Sequence, residues 1–126
     1  MLVVDTHVAV WWAGDPRRLG HAARARLAAA DRLGIPTIVF WEVALLVRKR
    51  KLDLGMPVNE WAQAIQTVPR VEALPLTAEI AVQADALAMH ADPADRFIVA
   101  TALRYGVPLV SKDRLMRSLR FIETIW

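Results

Sequence analysis

Four acidic residues border or interrupt apolar runs of the sequence, although they lie far apart along the chain: Asp5, Glu42, Asp95 and Asp113. Asp5 directly follows the apolar run Leu2–Val4, and Glu42 is enclosed by the run "IVFWEVALLV". A buried carboxylate without a partner costs several kcal/mol, so these positions require something that compensates their charge. If the fold brings the four acids together, they repel one another and raise each other's pKa values, and a bound divalent cation removes that conflict.

The donor types indicate which cation that is. The chain has no cysteine and only 3 histidines, which are not clustered in the sequence. Carboxylate oxygens without thiolates favour magnesium or manganese over zinc. One or two such ions position water and offset the charge of a phosphodiester during in-line displacement. The acids therefore predict phosphoryl-transfer chemistry, provided that they converge in space.

Some of these acids also have a purely structural explanation. Asp92-Pro93-Ala94-Asp95 has the pattern of a helix start, with an N-cap acid, proline at the first position and an acid near the positive end of the helix dipole. Asp113 likewise suits the N-cap of a short helix. The local sequence does not decide between capping and chemistry, so the decision depends on the rest of the fold.

The elements that must position the acids alternate between strands and helices. The residue types predict strands at 2–4, 35–40, 70–76, 108–111 and 121–126. They predict helices at 6–13, 20–32, 41–51, 57–68, 77–89, 95–105 and 113–119. Such alternation predicts an α/β fold, a three-layer α/β/α sandwich around a mostly parallel sheet of about four or five strands. We expect residues 1–126 to form one domain.

In an open parallel sheet, binding crevices lie at the carboxyl ends of the strands. Asp5 and Asp113 each follow a predicted strand, and Glu42 lies just past another, at the start of its helix. Asp95 opens the helix that leads into the strand before Asp113. We therefore expect all four acids at one edge of the sheet.

The composition limits the class of protein. Hydrophobic residues make up 56% of the chain and charged residues 23%, which argues against disorder. The net charge of +3 permits binding to nucleic acid without indicating it. The first residues lack a basic leader, and the longest apolar stretch, 37–47, is interrupted by Glu42 and is too short to span a bilayer. With no cysteine, the sequence predicts a soluble cytoplasmic protein without a membrane partner.

Four motifs occur in an order and at spacings that resemble one known family: "VVDTHVAVWW", "FWEVALLVRKRKL", "HADPADRFIVATA" and "LVSKD". They resemble the PIN-domain nucleases, specifically the VapC-type toxins of prokaryotic VapBC toxin–antitoxin pairs. The resemblance runs from the first strand to the terminal "IETIW", nearly the whole chain. It implies a PIN-like fold and a metal-dependent endoribonuclease that is the toxin of a type II toxin–antitoxin system.

Position by position, the resemblance assigns Asp5, Glu42, Asp95 and Asp113 to the acidic quartet of the family. It implies that a metal-activated water hydrolyses RNA phosphodiesters, with one or two Mg²⁺ or Mn²⁺ ions, leaving a 5′-phosphate and a 3′-hydroxyl. Asp5 and Asp95 are then the direct ligands, whereas Glu42 and Asp113 ligate the metal, hold its waters or act as a base. The resemblance also implies a homodimer and a cognate VapB-type antitoxin whose tail covers the acidic groove.

Further candidates surround the quartet. The basic run that begins with Arg48 and Lys49 is either a solvated helix end or a rail for RNA phosphates. Arg96 either contacts the substrate or pairs with a neighbouring acid. Three residues are candidates for hydrogen bonds around the site, with local backbone contacts as the alternative: Thr6, Asp92 and Thr101.

Two departures and one alternative function remain open. Pro36 and Val39 match positions where many relatives carry serine, and the missing hydroxyls affect the surroundings of the metal more than its ligands. The alternative is a catalytically inactive PIN module that binds RNA or a protein partner, although the intact quartet argues against it. A signalling domain phosphorylated on Asp5 would require a second acid beside it, and the sequence has none there.

Overall fold

The computed structural model describes all residues from Met1 to Trp126. Its centre is a five-stranded sheet of order β3-β2-β1-β4-β5, in which every neighbouring pair is parallel. The strands are short: β1 (Leu2–Val4), β2 (Leu33–Pro36), β3 (Val71–Leu74), β4 (Leu109–Val110) and β5 (Thr124–Ile125). The predicted α/β architecture with a parallel sheet is confirmed.

Seven α-helices flank the sheet: α1 (Thr6–Gly14), α2 (His21–Ala29), α3 (Thr37–Arg48), α4 (Val58–Gln66), α5 (Ala78–Ala86), α6 (Pro93–Tyr105) and α7 (Arg114–Arg117). A 3₁₀ turn at Pro16–Arg18 follows α1. Strands β1, β2 and β4 are buried along their whole length, as expected for parallel strands covered by helices on both faces. None of the helices has both the length and the apolar character needed to cross a membrane.

The predicted strand 35–40 is wrong in its bounds, and this moves Glu42 along its helix. Strand β2 ends at Pro36, and the apolar residues 37–40 form the first turn of α3. Pro36 has no backbone N–H for the sheet, so strand pairing stops there. The apolar run continues as a helix whose Val39 and Val43, four residues apart, face the core. Glu42 therefore lies in the second turn of α3 rather than at its start.

Aspartates cap three of the helices that border the sheet edge. The Oδ1 atoms of Asp5, Asp92 and Asp113 accept backbone N–H groups of Val8, Asp95 and Met116 at 2.9, 3.2 and 3.0 Å. Each such bond compensates one of the unpaired donors at a helix start. The capping interpretation of Asp92 and Asp113 is thus confirmed, and for Asp5 and Asp113 it coexists with a place at the carboxyl edge of the sheet.

Candidate active site

The adjacent strands β1 and β4 bring Asp5 next to Ser111. Val4 and Val110 are paired in register, so the residues that follow them meet at the carboxyl edge of the sheet. The Ser111 hydroxyl donates to Asp5 Oδ2, while the Val8 N–H donates to Asp5 Oδ1. Asp5 is only 5% exposed. Both oxygens of this buried carboxylate are therefore held in fixed positions.

Burial raises the pKa of Asp5 to about 6. The hydrogen bonds from Ser111 and Val8 act in the opposite direction, because they stabilise the ionised form. The nearby carboxylates of Glu42 and Asp113 raise the pKa further. The mutual repulsion that the sequence predicted is thus present at Asp5, and the site favours a cation.

Glu42 reaches this cluster from α3. The hydroxyl of buried Thr6, the first residue of α1, donates to Glu42 Oε1. The junction between β1 and α1 therefore orients two acids. Asp5 is fixed as the N-cap of α1, and the hydroxyl of Thr6 fixes Glu42. The expectation that Thr6 hydrogen-bonds within the acidic site agrees with this geometry.

Asp95 and Asp113 form the outer part of the cluster, together with His90. His90 Nε2 lies 2.6 Å from Asp95 Oδ2. Burial raises the pKa of Asp95 to about 6, and the carboxylates of Asp92 and Asp113 add to this, whereas the bond with His90 lowers it. His90, Asp95 and Asp113 each offer one potential metal-ligand atom, and these three atoms lie within 4.8 Å of one another.

The donor set fits a divalent cation that prefers oxygen ligands. The carboxylates of Asp5, Asp95 and Asp113 lie near one another in the order 5–113–95, since Asp113 interacts electrostatically with both other acids. A single imidazole, that of His90, joins them. This mixture of carboxylates with at most one nitrogen ligand suits Mg²⁺ or Mn²⁺ better than Zn²⁺.

Arg96 has a role that sequence reasoning did not find. Its guanidinium neither pairs with an acid nor projects unpaired towards a substrate, because it donates to five backbone carbonyls. Two belong to the last turn of α5, those of Ala84 and Asp85, and three to the segment between α5 and α6, those of Leu87, Met89 and His90. Both expectations for Arg96 are therefore corrected. Arg96 holds the segment that carries His90, so it acts on the outer acids through the loop.

The remaining candidates lie at the margin of the cluster or outside it. Thr101 is buried and its hydroxyl donates to the Phe97 carbonyl at 2.6 Å, which is the local backbone contact. Arg48 and Lys49 are exposed at the end of α3. Pro36 and Val39, the positions where many relatives carry serine, are both buried. Their side chains have no hydroxyl, so they contribute no hydrogen bond to the site.

Sequence reasoning also missed Ser111 and His90, together with Arg18 and Leu52 in the groove at Asp5 and Asp113. This open groove of about 420 Å³ is bordered by His7, Trp11, Arg18, Lys51, Leu52 and Lys112 in addition to the two acids. Lys51, at the end of the basic run, lines it, whereas Arg48 and Lys49 do not. Ser111 and His90 stood in the motifs "LVSKD" and "HADPADRFIVATA", and their closeness to acids in the sequence was the available signal.

Comparison with known proteins identifies the family. Residues 2–122 match the PIN domain family. The chain is 39% identical over 129 residues to the ribonuclease VapC22 of Mycobacterium tuberculosis, covering 99% of this chain and 98% of that relative.

Solved structures share the fold at lower identity. VapC20 of Mycobacterium tuberculosis, a toxin that cleaves the sarcin–ricin loop, matches with a TM-score of 0.65 and 22% identity over 90% of this chain and 91% of that chain. The DNA-bound VapBC2 of Rickettsia felis matches with a TM-score of 0.67 and 16% identity over 98% of this chain and 96% of that chain. The family match and the VapC22 identity, together with this shared fold, decide the assignment. The chain belongs to the PIN-domain family and, within it, to the VapC ribonucleases, the toxins of type II toxin–antitoxin systems.

Proposed function

We propose that this VapC ribonuclease is an endoribonuclease that requires Mg²⁺ or Mn²⁺ and hydrolyses RNA phosphodiesters at the carboxyl edge of its sheet. The observation that carries the proposal is the convergence of four acids that are widely separated in sequence, two of which have pKa values raised to about 6. A fold does not gather carboxylates around a partly buried point without a compensating charge. The same convergence favours a working enzyme over an inactive module.

The proposed ligands are Asp5 and Asp95, with Asp113 between them as the third. When bound, the cation supplies a Lewis acid for the phosphate and lowers the pKa of water. Glu42 remains as the base or as an outer ligand, and its hydrogen bond from Thr6 supports either role because the bond fixes the carboxylate direction. His90 orients Asp95 from the loop side.

The other side chains of the site act by positioning these carboxylates. Ser111 and the Val8 N–H hold the two Asp5 oxygens, so that Asp5 pays no reorganisation cost when a ligand arrives. The exposed cations near the groove, with Arg48 and Lys49 farther along α3, attract the RNA backbone. These contacts carry no sequence information by themselves.

We further propose a cognate VapB-type antitoxin, a homodimer and a cytoplasmic location. The structural neighbours support the antitoxin, since the match from Rickettsia felis is a VapBC complex. The family membership supports the homodimer. The absence of cysteine, which suits a reducing compartment, supports the cytoplasm.

The test is cleavage of a structured RNA mixture by purified protein in Mg²⁺, in Mn²⁺ and in EDTA. Cleavage in the metal solutions alone is expected, and Asp5→Asn and Asp95→Asn are expected to reduce it by at least about 100-fold, because each removes a ligand charge. Asp85→Asn is the matched control, since Asp85 is exposed on α5 and its side chain forms no hydrogen bond within the protein. Equal cleavage by all proteins contradicts the proposed site.

Calorimetric titration of Mn²⁺ separates the remaining cases. Metal binding that is lost in Asp5→Asn, without cleavage of the RNA mixture, is the result expected of a toxin with a narrow target. No metal binding and no cleavage by the wild type contradict the proposal and favour the inactive module.

A further inference from the structure

The groove at the acids lies beside a second cavity. The groove of about 420 Å³ contains Asp5 and Asp113, and the cavity of about 330 Å³ lies between α1 and the segment that follows α3. The two share Trp11, Arg18 and Leu52 in their linings. The two cavities are therefore adjacent, and together they are here called the side channel, which extends from the carboxylates towards Trp61.

Three cations line the acidic end of the side channel, and none has a carboxylate partner. Arg18, Lys51 and Lys112 are exposed and form no salt bridge, although acids are close at hand. The neighbouring Arg17, by contrast, pairs with Asp15 at 3.1 Å. The charges of the three groove cations are thus available to an anion.

Two of these cations are held in place by one aromatic ring. Arg18 Cζ lies 4.8 Å and Lys112 Nζ lies 5.4 Å from the centroid of the Trp11 ring, within the range of a cation–π contact. Trp11 is itself buried and packs against Trp126 at 6.0 Å between ring centroids. Contact with a fixed ring restricts the conformations of both cationic side chains. Binding of an anion therefore loses less side-chain entropy.

The far end of the side channel is mostly apolar and has room for a flat group. Its lining includes Trp61, Met56 and Gly14, with Asp15, Arg18 and Asp53 as polar groups. A Cβ atom added at Gly14 would meet no atom within 4 Å. A cavity of this size with a few polar groups at its rim has the character of a small-ligand site.

We propose that the side channel binds the nucleotide next to the scissile phosphate, an inference that rests on the ribonuclease function proposed above. Lys112, Lys51 and Arg18 contact its phosphate, and the cavity beside Gly14 takes its base. Unpaired cations beside a reaction centre favour a polyanion such as RNA. An unstacked base of single-stranded RNA can pack its flat face against the apolar end of the side channel. The base at this position then contributes to the choice of cleavage site.

The first test measures binding without cleavage. A fluorescein-labelled single-stranded RNA of mixed sequence is titrated with protein in EDTA, and fluorescence anisotropy gives Kd at several salt concentrations. Lys112→Gln and Arg18→Gln are each expected to weaken binding about 3- to 10-fold and to reduce the slope of log K against log salt by about 0.7, the loss of one phosphate contact. Arg117→Gln, which removes an exposed cation from α7 outside the side channel, is the matched control and is expected to change Kd less than about twofold.

The second test fills the cavity from Gly14. Gly14→Phe is expected to lower RNA affinity and the kcat/KM of cleavage by about 10-fold or more, because the ring occupies the place of the base. Gly14→Ala adds only a Cβ in open space and is the control for the change in backbone freedom. Thermal unfolding of both variants verifies that the fold is intact.

The outcomes separate this inference from the proposed function. RNA cleavage by the wild type, with Kd, salt slope and kcat/KM unchanged in the cation variants and in Gly14→Phe, overturns the side channel as a nucleotide site and leaves the ribonuclease in place. Weakened RNA binding in those variants, with neither RNA cleavage nor Mn²⁺ binding by the wild type, supports the nucleotide site and contradicts the proposed function.

Discussion

The acidic cluster has two halves that carry the same kind of side chain on different supports. In the inner half, the hydroxyl of Ser111, directly after β4, holds Asp5. The hydroxyl of Thr6, the first residue of α1, holds Glu42. The outer half, made of Asp95, Asp113 and His90, lies on helix starts and on the segment between α5 and α6. One guanidinium, that of Arg96, joins this segment to the last turn of α5 through five carbonyls.

The two supports couple the acids to the stability of the fold to different degrees. The inner half lies at the ends of buried strands, so a substitution there changes a buried charge and is expected to change the free energy of unfolding. The outer half depends on local loop geometry, so a change there is expected to disturb the position of its ligands before it disturbs the core. The following predictions compare the two halves.

The largest expected effect is an opposition between activity and stability at Asp5. Asp5→Asn is expected to reduce cleavage by at least about 100-fold and yet to raise the free energy of unfolding in EDTA at pH 7.5 by about 1–2 kcal/mol, since it removes a buried charge. The amide oxygen still accepts the Val8 N–H, and the amide nitrogen donates to the Ser111 hydroxyl. Urea unfolding and RNA cleavage measure the two effects. A loss of stability would show that the carboxylate is compensated within the metal-free protein.

The second prediction concerns pH. Because the folded-state pKa values of Asp5 and Asp95 are raised to about 6, the folded state holds more protons than the unfolded state between pH 4 and 6. Their favourable contribution is present below the unfolded pKa of 3.8 and is lost as the pH rises through the folded value. The loss is on the order of 2–3 kcal/mol for buried Asp5 and is smaller for Asp95, whose carboxyl is only partly buried and is screened by solvent.

Urea unfolding in EDTA at pH 5, 6 and 7 measures the part of this loss that falls above pH 5, about 1 kcal/mol for Asp5. Saturating Mg²⁺ is expected to remove most of the decline, because a bound cation favours the ionised carboxylates. Asp5→Asn is expected to retain only the share that belongs to Asp95. Stability in EDTA that rises across this pH range contradicts the prediction.

The third prediction tests the support of the outer half. Arg96→Lys is expected to lower the free energy of unfolding by about 2 kcal/mol, because an ammonium cannot reach the carbonyls that the planar guanidinium spans. It is also expected to weaken Mn²⁺ binding about 10-fold through displacement of His90 and Asp95. Arg104→Lys is the matched control: its guanidinium forms one exposed ion pair, with Glu79 at 3.1 Å, and the expected change is below about 0.5 kcal/mol. Unchanged metal affinity in Arg96→Lys would show that the outer ligands do not depend on this loop.

The smallest expected effect separates the cap from the ligand within one helix turn. Asp92→Asn retains an N-cap acceptor for the Asp95 N–H, so stability is expected to change by less than about 0.5 kcal/mol and cleavage by less than about threefold. Asp92→Ala is expected to cost about 1 kcal/mol. Urea unfolding and cleavage assays of both variants, beside Asp95→Asn, measure the contrast. A loss of cleavage in Asp92→Asn comparable to that in Asp95→Asn would place Asp92 among the ligands.

Sequence patterns were sufficient where a general rule of folding places the residue. Asp5 and Asp113 follow strands, and parallel strands present their carboxyl ends at one edge, so their convergence could be predicted without coordinates. The cap at Asp92 follows from a local pattern and is equally predictable.

Patterns failed where the outcome depends on the path of a loop or on a boundary. The partners of Arg96 are backbone carbonyls, which every residue has, so they cannot be predicted from residue types. The place of His90 depends on the same loop. The boundary between β2 and α3 was misplaced because short apolar runs look alike in strands and in buried helices. The end of α3 was also misplaced: the helix ends at Arg48, and Lys51, which follows it, lines the groove.

The two hydrogen bonds to Asp5 have a consequence for the genetics of this toxin. Cells that escape poisoning by an unpaired toxin carry mutations that disable it, and most disabling substitutions in a buried core also destroy the fold. Asparagine at position 5 is an exception, since it satisfies the same Val8 and Ser111 partners without the charge. Escape alleles of this kind are expected to yield a folded protein without toxic activity. Selections for survivors are therefore expected to recover Asp5→Asn as an abundant folded product.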